Sequence, residues 1–137
     1  MKIPILLMIL SATGLLVLAA LWLYFRAAER HEPVEYYRGW SGYGHPIRLG
    51  RRITRGEADA LAARGSAYLI GYFDADDDRL SRVDKIYRGD LFFRFEYSYH
   101  RNGRLKLAKV SRQDGRSIEF EYDGRGRQLP TSPTGFW

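Results

Sequence analysis

Cysteine is absent from this chain of 137 residues. Disulfide bonds and metal sites built on thiolates are therefore excluded. The sequence also contains no G-x-S-x-G elbow, no glycine-rich phosphate-binding loop and no H-E-x-x-H zinc motif. From these absences we predict no enzymatic activity, no cofactor and no metal site.

Charge is absent from the N-terminal part of the chain, where residues 3–25 carry none. Leu, Ile, Val and Ala dominate these residues, and a helix of that length at about 1.5 Å per residue can cross a hydrocarbon core of about 30 Å. We predict a transmembrane anchor over residues 1–25, and hence a single-pass protein of the cell inner membrane that contacts lipid through residues 3–25. A cleaved signal peptide and a buried core helix remain as alternatives.

The basic residues around this segment predict its orientation. Lys2 precedes it, whereas Arg26 and Arg30 follow it in a charged juxtamembrane spacer at residues 26–33. The positive-inside rule counts such residues and favours a cytoplasmic domain. A periplasmic domain stays open, because an N-terminal tail of two residues is common in anchors that hold a domain outside.

The remainder of the chain is basic. From Arg26 onward, 21 basic and 16 acidic residues give a net charge of +5. Such a balance favours acidic partners or solubility near an anionic membrane. Nucleic acid is disfavoured, because base stacking needs exposed rings and the aromatic residues fall on the buried phase of the predicted strands. A protein of undetermined identity is the expected partner.

One short helix is predicted at residues 55–64. Thr54 and Glu57 form a capping box, in which each side chain satisfies a free backbone N–H of the other residue. Gly65 follows the predicted end and suits the left-handed conformation that terminates a helix. The helix carries small side chains and is expected to lie close against a sheet.

From residue 67 onward the apolar residues alternate with a period of two, which predicts strands. Residues 67–73 are apolar on both faces and predict a central strand, and later strands show the alternation in F-R-F-E-Y-S-Y and I-E-F-E-Y. Turn signals separate about six strands. We therefore predict an α+β fold: the transmembrane helix, then a mainly antiparallel β-meander with one short helix over residues 34–129, then a flexible tail at residues 130–137.

A phrase recurs in the C-terminal half of the chain. Residues 99–105 read Y-H-R-N-G-R-L and residues 122–129 read Y-D-G-R-G-R-Q-L, with Tyr99 and Tyr122 in equivalent places. Glycine after a polar residue allows the positive φ of a tight turn. The repeat predicts one hairpin used twice, each copy needing its neighbours to bury its aromatic face.

These phrases resemble the MORN-type variant 2 repeats of bacterial proteins and, through Y-D-G-R-G-R, the tyrosine–aspartate repeats of Rhs proteins. The layout of Y-Y-R-G-W-S-G, P-I-R-L, a short helix and Y-H-x-N-G is also similar to a small bacterial family of unknown function, over residues 36–129. That resemblance implies no catalytic residues. The repeats imply, by analogy, an immunity or antitoxin role.

Two groups of polar residues are candidate sites. The run from Asp74 to Asp78 imitates a calcium loop, but Arg79 replaces its glycine and Lys85 its closing glutamate, which favours a solvated turn. His45 lies between Gly44 and Pro46 and has no carboxylate nearby in sequence to orient it for catalysis. The predicted binding residues are the following: Trp40, Tyr43, His45, Tyr99, Arg104 and Trp137.

The function that these features favour is a non-enzymatic, membrane-anchored interaction module. Two alternatives stay open beside it. The first is a small cell-envelope enzyme or lipid-handling factor with a site near Trp40 to His45. The second is the immunity or antitoxin protein that the repeat resemblance implies.

Overall fold

The computed structural model describes residues 33–42 and 44–131, together with Val17. Within these residues no helix is long and apolar enough to cross a membrane. This finding contradicts the predicted fold class with its transmembrane helix, and the predicted single-pass localisation and orientation are withdrawn with it. The one helix described there has nine residues and spans about 13.5 Å, less than half of the roughly 30 Å required. Apart from Val17, the predicted span at residues 3–25 lies outside the described residues.

The described chain forms seven strands and one helix. In chain order they are β1 (Val34–Ser41), β2 (Arg48–Ile53), α1 (Arg55–Ala63), β3 (Tyr68–Phe73), β4 (Leu80–Tyr87), β5 (Asp90–Tyr99), β6 (Leu105–Arg112) and β7 (Ser117–Glu121). They make a single sheet in the order β2-β1-β3-β4-β5-β6-β7, with every neighbouring pair antiparallel. The prediction of an antiparallel meander is therefore right from β3 onward. The β1–β2 hairpin extends the sheet beyond β3, because β1 pairs with both β2 and β3.

Helix α1 begins and ends where its capping residues predict. The Thr54 hydroxyl accepts a hydrogen bond from the Glu57 N–H at 3.2 Å, and the Glu57 carboxylate accepts one from the Thr54 N–H at 2.8 Å. At the other end Gly65 has a φ of +68°, which allows the N–H of Ser66 to reach Leu61 O at 2.9 Å. The helix therefore stops after nine residues and leaves most of the sheet uncovered.

Each face of the sheet buries its own cluster of apolar side chains. The face opposite the helix carries the main core, which is built from residues of β1 and β3–β6 together with Ile47 of the β1–β2 loop: Tyr37, Ile47, Leu69, Val83, Phe95, Tyr97, Ala108 and Val110. The helix face has a smaller cluster of Ile53, Ala58 and Leu61, against which Tyr36 and Tyr68 pack. The predicted alternation of aromatic residues along β5 is confirmed by this arrangement.

The part of the helix face that the helix does not cover carries an ion pair and a cation–ring contact. Asp84 is only 5% exposed, and its carboxylate accepts two hydrogen bonds from the Arg94 guanidinium, at 2.8 and 3.0 Å. The Arg82 guanidinium lies 3.7 Å from the centre of the Tyr72 ring. Because a buried carboxylate is costly unless it is paired, the bidentate contact explains how Asp84 is accommodated.

The recurring phrase forms two turns that lie side by side, His100–Arg104 and Asp123–Arg127, here called the paired turns. The His100 Nε2 lies 2.8 Å from Tyr122 O, and the Asn102 Nδ2 donates to Gly124 O at 2.8 Å. The Arg104 guanidinium also donates to Arg125 O. The repeat length of two strands thus brings equivalent turns together at the same end of the sheet, where side chains of the first hydrogen-bond the backbone at the second.

The outer edge of β7 is partly covered by the chain that follows it. After the second of the paired turns, Leu129 N donates to Glu121 O at 2.8 Å. Tyr122 and Gln128 form an isolated antiparallel bridge. The predicted tail at residues 130–137 is described only as far as Thr131.

Candidate functional site

The core face contains one large apolar pocket of about 470 Å³. It opens between the loop that joins β1 to β2 and the strands β5, β6 and β7. Its lining residues are Trp40, Gly42, Gly44, His45, Ile47, Phe93, Phe95, Val110, Ile118, Phe120 and Gln128. A cavity of this size and apolar lining is typical of small-molecule sites, which range from roughly 300 to 1,000 Å³.

Trp40 reaches the pocket because strand β1 changes direction. Tyr36 packs against the helix cluster, yet Trp40, an even number of residues further on, lines the pocket with Phe93. Gly39, with a φ of +74°, lies between them and breaks the regular alternation. Tyr36 and Trp40 therefore contact opposite sides of the sheet in spite of their even spacing.

His45 forms part of the pocket wall. Its ring centre lies 4.8 Å from that of Phe120 and 6.2 Å from that of Tyr97. The loop that carries it is fixed by a buried hydrogen bond of 3.0 Å, in which Ile47 N donates to the Tyr97 hydroxyl oxygen. Burial lowers the pKa of His45, so the ring is neutral near pH 7.

The Nδ1 atom of His45 is buried and has no hydrogen-bond partner among the described residues. A catalytic histidine is usually oriented through one ring nitrogen by a carboxylate or carbonyl, while the other nitrogen transfers the proton. No such contact is made at Nδ1 within the described residues, and the ring lies in a largely apolar wall.

Lys85 stands beside the pocket on the same face of the sheet. It is the cross-strand partner of Phe93 in the β4–β5 pair, and such partners project to the same side. Its Nζ lies 4.5 Å from the centre of the Trp40 ring and 5.2 Å from that of Phe92. Among the described residues no ion pair involves Lys85, so its charge is balanced only by the faces of these rings.

The other predicted binding residues do not join this site. The Tyr99 hydroxyl donates to Leu80 O at 2.7 Å, and Arg104 belongs to the paired turns, so both have structural partners outside the pocket lining. Tyr43 and Trp137 lie outside the described residues. Of the six predicted residues, the structure places Trp40 and His45 in the pocket.

The acidic turn after β3 uses its carboxylates locally. The Asp74 carboxylate accepts from the N–H of Asp76 at 2.8 Å, and the Asp77 carboxylate accepts from the N–H of Arg79 at 3.0 Å. Within residues 33–42 and 44–131, no three His, Asp or Glu side chains converge as they would around a metal ion.

Several residues that line the pocket or lie beside it are not among the binding residues predicted from the sequence. Phe93, Phe95 and Phe120 were assigned to the core from their alternation, and a pocket wall gives the same pattern as a packed interior. Lys85 carried a usable signal, because it lies two residues after the buried Val83, on the buried phase of β4. That signal becomes readable only once the strand register is known.

The model of a family of unknown function, DUF6156, matches residues 29–131. The chain belongs to this family. The match covers all the described strands, the helix and the pocket, and it does not support the finer resemblance to MORN-type repeats. No curated protein and no solved structure matches the chain.

Proposed function

We propose that this DUF6156 domain is a non-enzymatic binding module, and that its binding site is the apolar pocket on the core face of the sheet. The observation that carries the proposal is the pocket of about 470 Å³ with an almost wholly apolar wall. Apolar surface left open to water has an energetic cost that a bound apolar group removes, at roughly 25 cal/mol per Å² buried.

The construction of the wall supports this function. Phe93 and Phe95 lie on β5, whose backbone is hydrogen-bonded to β4 on one side and to β6 on the other. Phe120 lies on β7, which is hydrogen-bonded to β6. The opposite wall is the loop fixed by the hydrogen bond from Ile47 to Tyr97. Sites on rigid elements lose little conformational entropy when they bind, which favours affinity.

The same surroundings argue against the alternative of an enzyme at Trp40 to His45. A general base needs an accessible nitrogen with a pKa near the working pH and a partner that orients the ring. The Nδ1 of His45 is buried and has no partner within residues 33–42 and 44–131, and burial lowers the pKa of the ring further below neutrality. Binding of an apolar group requires neither feature.

The test uses the neutral fluorophore N-phenyl-1-naphthylamine with the full chain, in a background where Trp22 and Trp137 are replaced by Phe. Energy transfer from Trp40 then reports only probe that lies near the pocket. We expect saturable transfer with one probe per chain. Trp40 contributes to the wall, so its emission should also change on binding.

Two variants with the same substitution locate the probe. Ile118→Phe adds volume inside the pocket and should weaken binding at least about tenfold, whereas Ile70→Phe, also half-buried but on the helix face, should change it less than about twofold. Thermal melts of both variants verify that they fold. Equal binding by the two variants would refute the assignment of the pocket as the site.

A further inference from the structure

We infer that the ligand of this pocket is a small amphiphilic anion: a hydrocarbon or aromatic body with one carboxylate, sulfonate or similar group that pairs with Lys85. The inference rests on the proposed function, since it assigns the ligand class of the same site. It depends on the place of one lysine in the sheet and on the charges around it.

Lys85 lies in a cross-strand row with two residues of the neighbouring strands. Phe93 is its partner on β5, and Arg112 is the partner of Phe93 on β6. All three therefore project from the core face, with a basic residue on each side of a ring that lines the pocket. A ligand lying on Phe93 would meet Lys85 on one side and, on the other, Arg112, which is paired with Asp114 at 3.5 Å.

Within the described part of the chain, Lys85 lacks the carboxylate partner that Arg94 on β5 and Lys109 on β6 have. Arg94 pairs with Asp84 at 2.8 Å, and Lys109 lies 3.9 Å from a carboxylate oxygen of Glu119. Lys85 has no such carboxylate among the described residues and lies over Trp40 and Phe92. A half-buried ammonium without a counter-ion, directly beside an apolar pocket, is complementary to a ligand that brings a negative charge with an apolar body.

A second cavity extends the site toward Arg112. It has a volume of about 320 Å³ and is lined by Phe92, Phe93, Arg112, Gln113 and Asp114, so it shares Phe93 with the apolar pocket. Asp114 is itself paired with Arg112 at 3.5 Å and with Arg116 at 3.6 Å, which offsets its charge. The apolar body therefore fits the first cavity and the anionic group fits the boundary at Phe93.

The test compares two probes that share one ring system. The sulfonate of 8-anilinonaphthalene-1-sulfonate is the only difference from neutral N-phenyl-1-naphthylamine, and both are titrated by energy transfer from Trp40. We expect Lys85→Met to weaken the sulfonate about tenfold and the neutral probe less than about twofold. Lys109→Met removes the same charge from the opposite face and should leave both affinities within about twofold.

The outcomes separate the two proposals. If both probes bind in the pocket and Lys85→Met leaves the sulfonate unchanged, the ligand class is wrong and the proposed function stands. If neither probe transfers energy from Trp40, the proposed function itself fails. Replacement of Phe136 and Trp137 by Ser should change neither affinity. A gain of tenfold or more for both probes would assign the pocket to the chain's own tail and would overturn the inference.

Discussion

The paired turns and the apolar pocket treat their polar groups in opposite ways. In the paired turns, His100, Asn102 and Arg104 each hydrogen-bond a backbone carbonyl at or next to the second turn. At the pocket, within the described part of the chain, the Nδ1 of His45 has no partner and Lys85 has aromatic faces in place of a carboxylate.

We expect the paired turns to contribute mainly to the stability of the fold and the pocket to the proposed binding function. Satisfied hydrogen bonds between adjacent turns contribute to folding, at about 1 kcal/mol each, and leave nothing for a ligand. An open apolar cavity beside a lysine that has no carboxylate partner among the described residues contributes less to folding and, under the proposed function, is available to a ligand. Substitutions in the two regions should therefore have different consequences.

The largest effect is expected from Gly103→Val in the first of the paired turns. Gly103 has a φ of +86°, and a Cβ there would lie 3.1 Å from a guanidinium nitrogen of Arg79. A β-branched residue is strongly disfavoured at positive φ, so we expect a loss of about 2 kcal/mol, or about 8–16 °C in melting temperature.

Gly39→Val is the matched control for that substitution. Gly39 also has a positive φ, of +74°, but a Cβ there meets nothing within 4 Å. The cost should be about 1 kcal/mol, from backbone strain alone. Equal melting temperatures for the two variants would show that the packing of Gly103 against Arg79 contributes nothing.

Asn102→Ala compared with Lys85→Met tests the separation directly. Asn102→Ala removes a donor to Gly124 and an acceptor for Arg104 N, and should lower stability by about 1 kcal/mol while probe binding is unchanged. Lys85→Met should alter stability by less than about 0.5 kcal/mol and weaken only the anionic probe. The comparison fails if either variant shows the other's phenotype.

A smaller effect concerns pH and His45. Burial lowers the folded-state pKa of His45 below its ordinary value of 6.5, so the unfolded chain takes up a proton first as the pH falls. The stability that comes from burying the neutral ring is present above about pH 6.5 and is lost as the pH falls below it. Melting temperatures of the wild type should therefore decline between pH 7.5 and 5.5, above the range where carboxylates titrate.

His45→Phe keeps an aromatic ring against Phe120 and removes the titrating group. Its melting temperature should fall less over the same pH interval. An equal decline in both proteins would show that His45 is not the group that makes the domain sensitive to acid.

The sequence was sufficient for the elements that depend on local patterns. The capping box at Thr54 and Glu57, the left-handed Gly65 and the alternation along β5 are properties of neighbouring residues, and the structure contains all three. Trp40 and His45, two of the predicted binding residues, line the pocket, and their role in binding stays a prediction.

The apolar run at residues 3–25 satisfies the length rule for a membrane span, yet no described helix meets that rule.

The other feature that the sequence did not reveal depends on long-range pairing. The role of Lys85 depends on its register with Phe93 and on the bend at Gly39 that brings Trp40 over it. Neither relation is visible in a window of neighbouring residues.

The fold-back after β7 also bears on how separate molecules meet. An unpaired outer strand invites a strand from another molecule to add to it, which begins edge-to-edge association. Here Leu129 already occupies the carbonyl of Glu121, and β7 has only five residues, so little of that edge is left to template a new strand. The chain thereby shortens this edge with its own backbone, so that the domain combines an open apolar pocket with only a short strand edge on the β7 side.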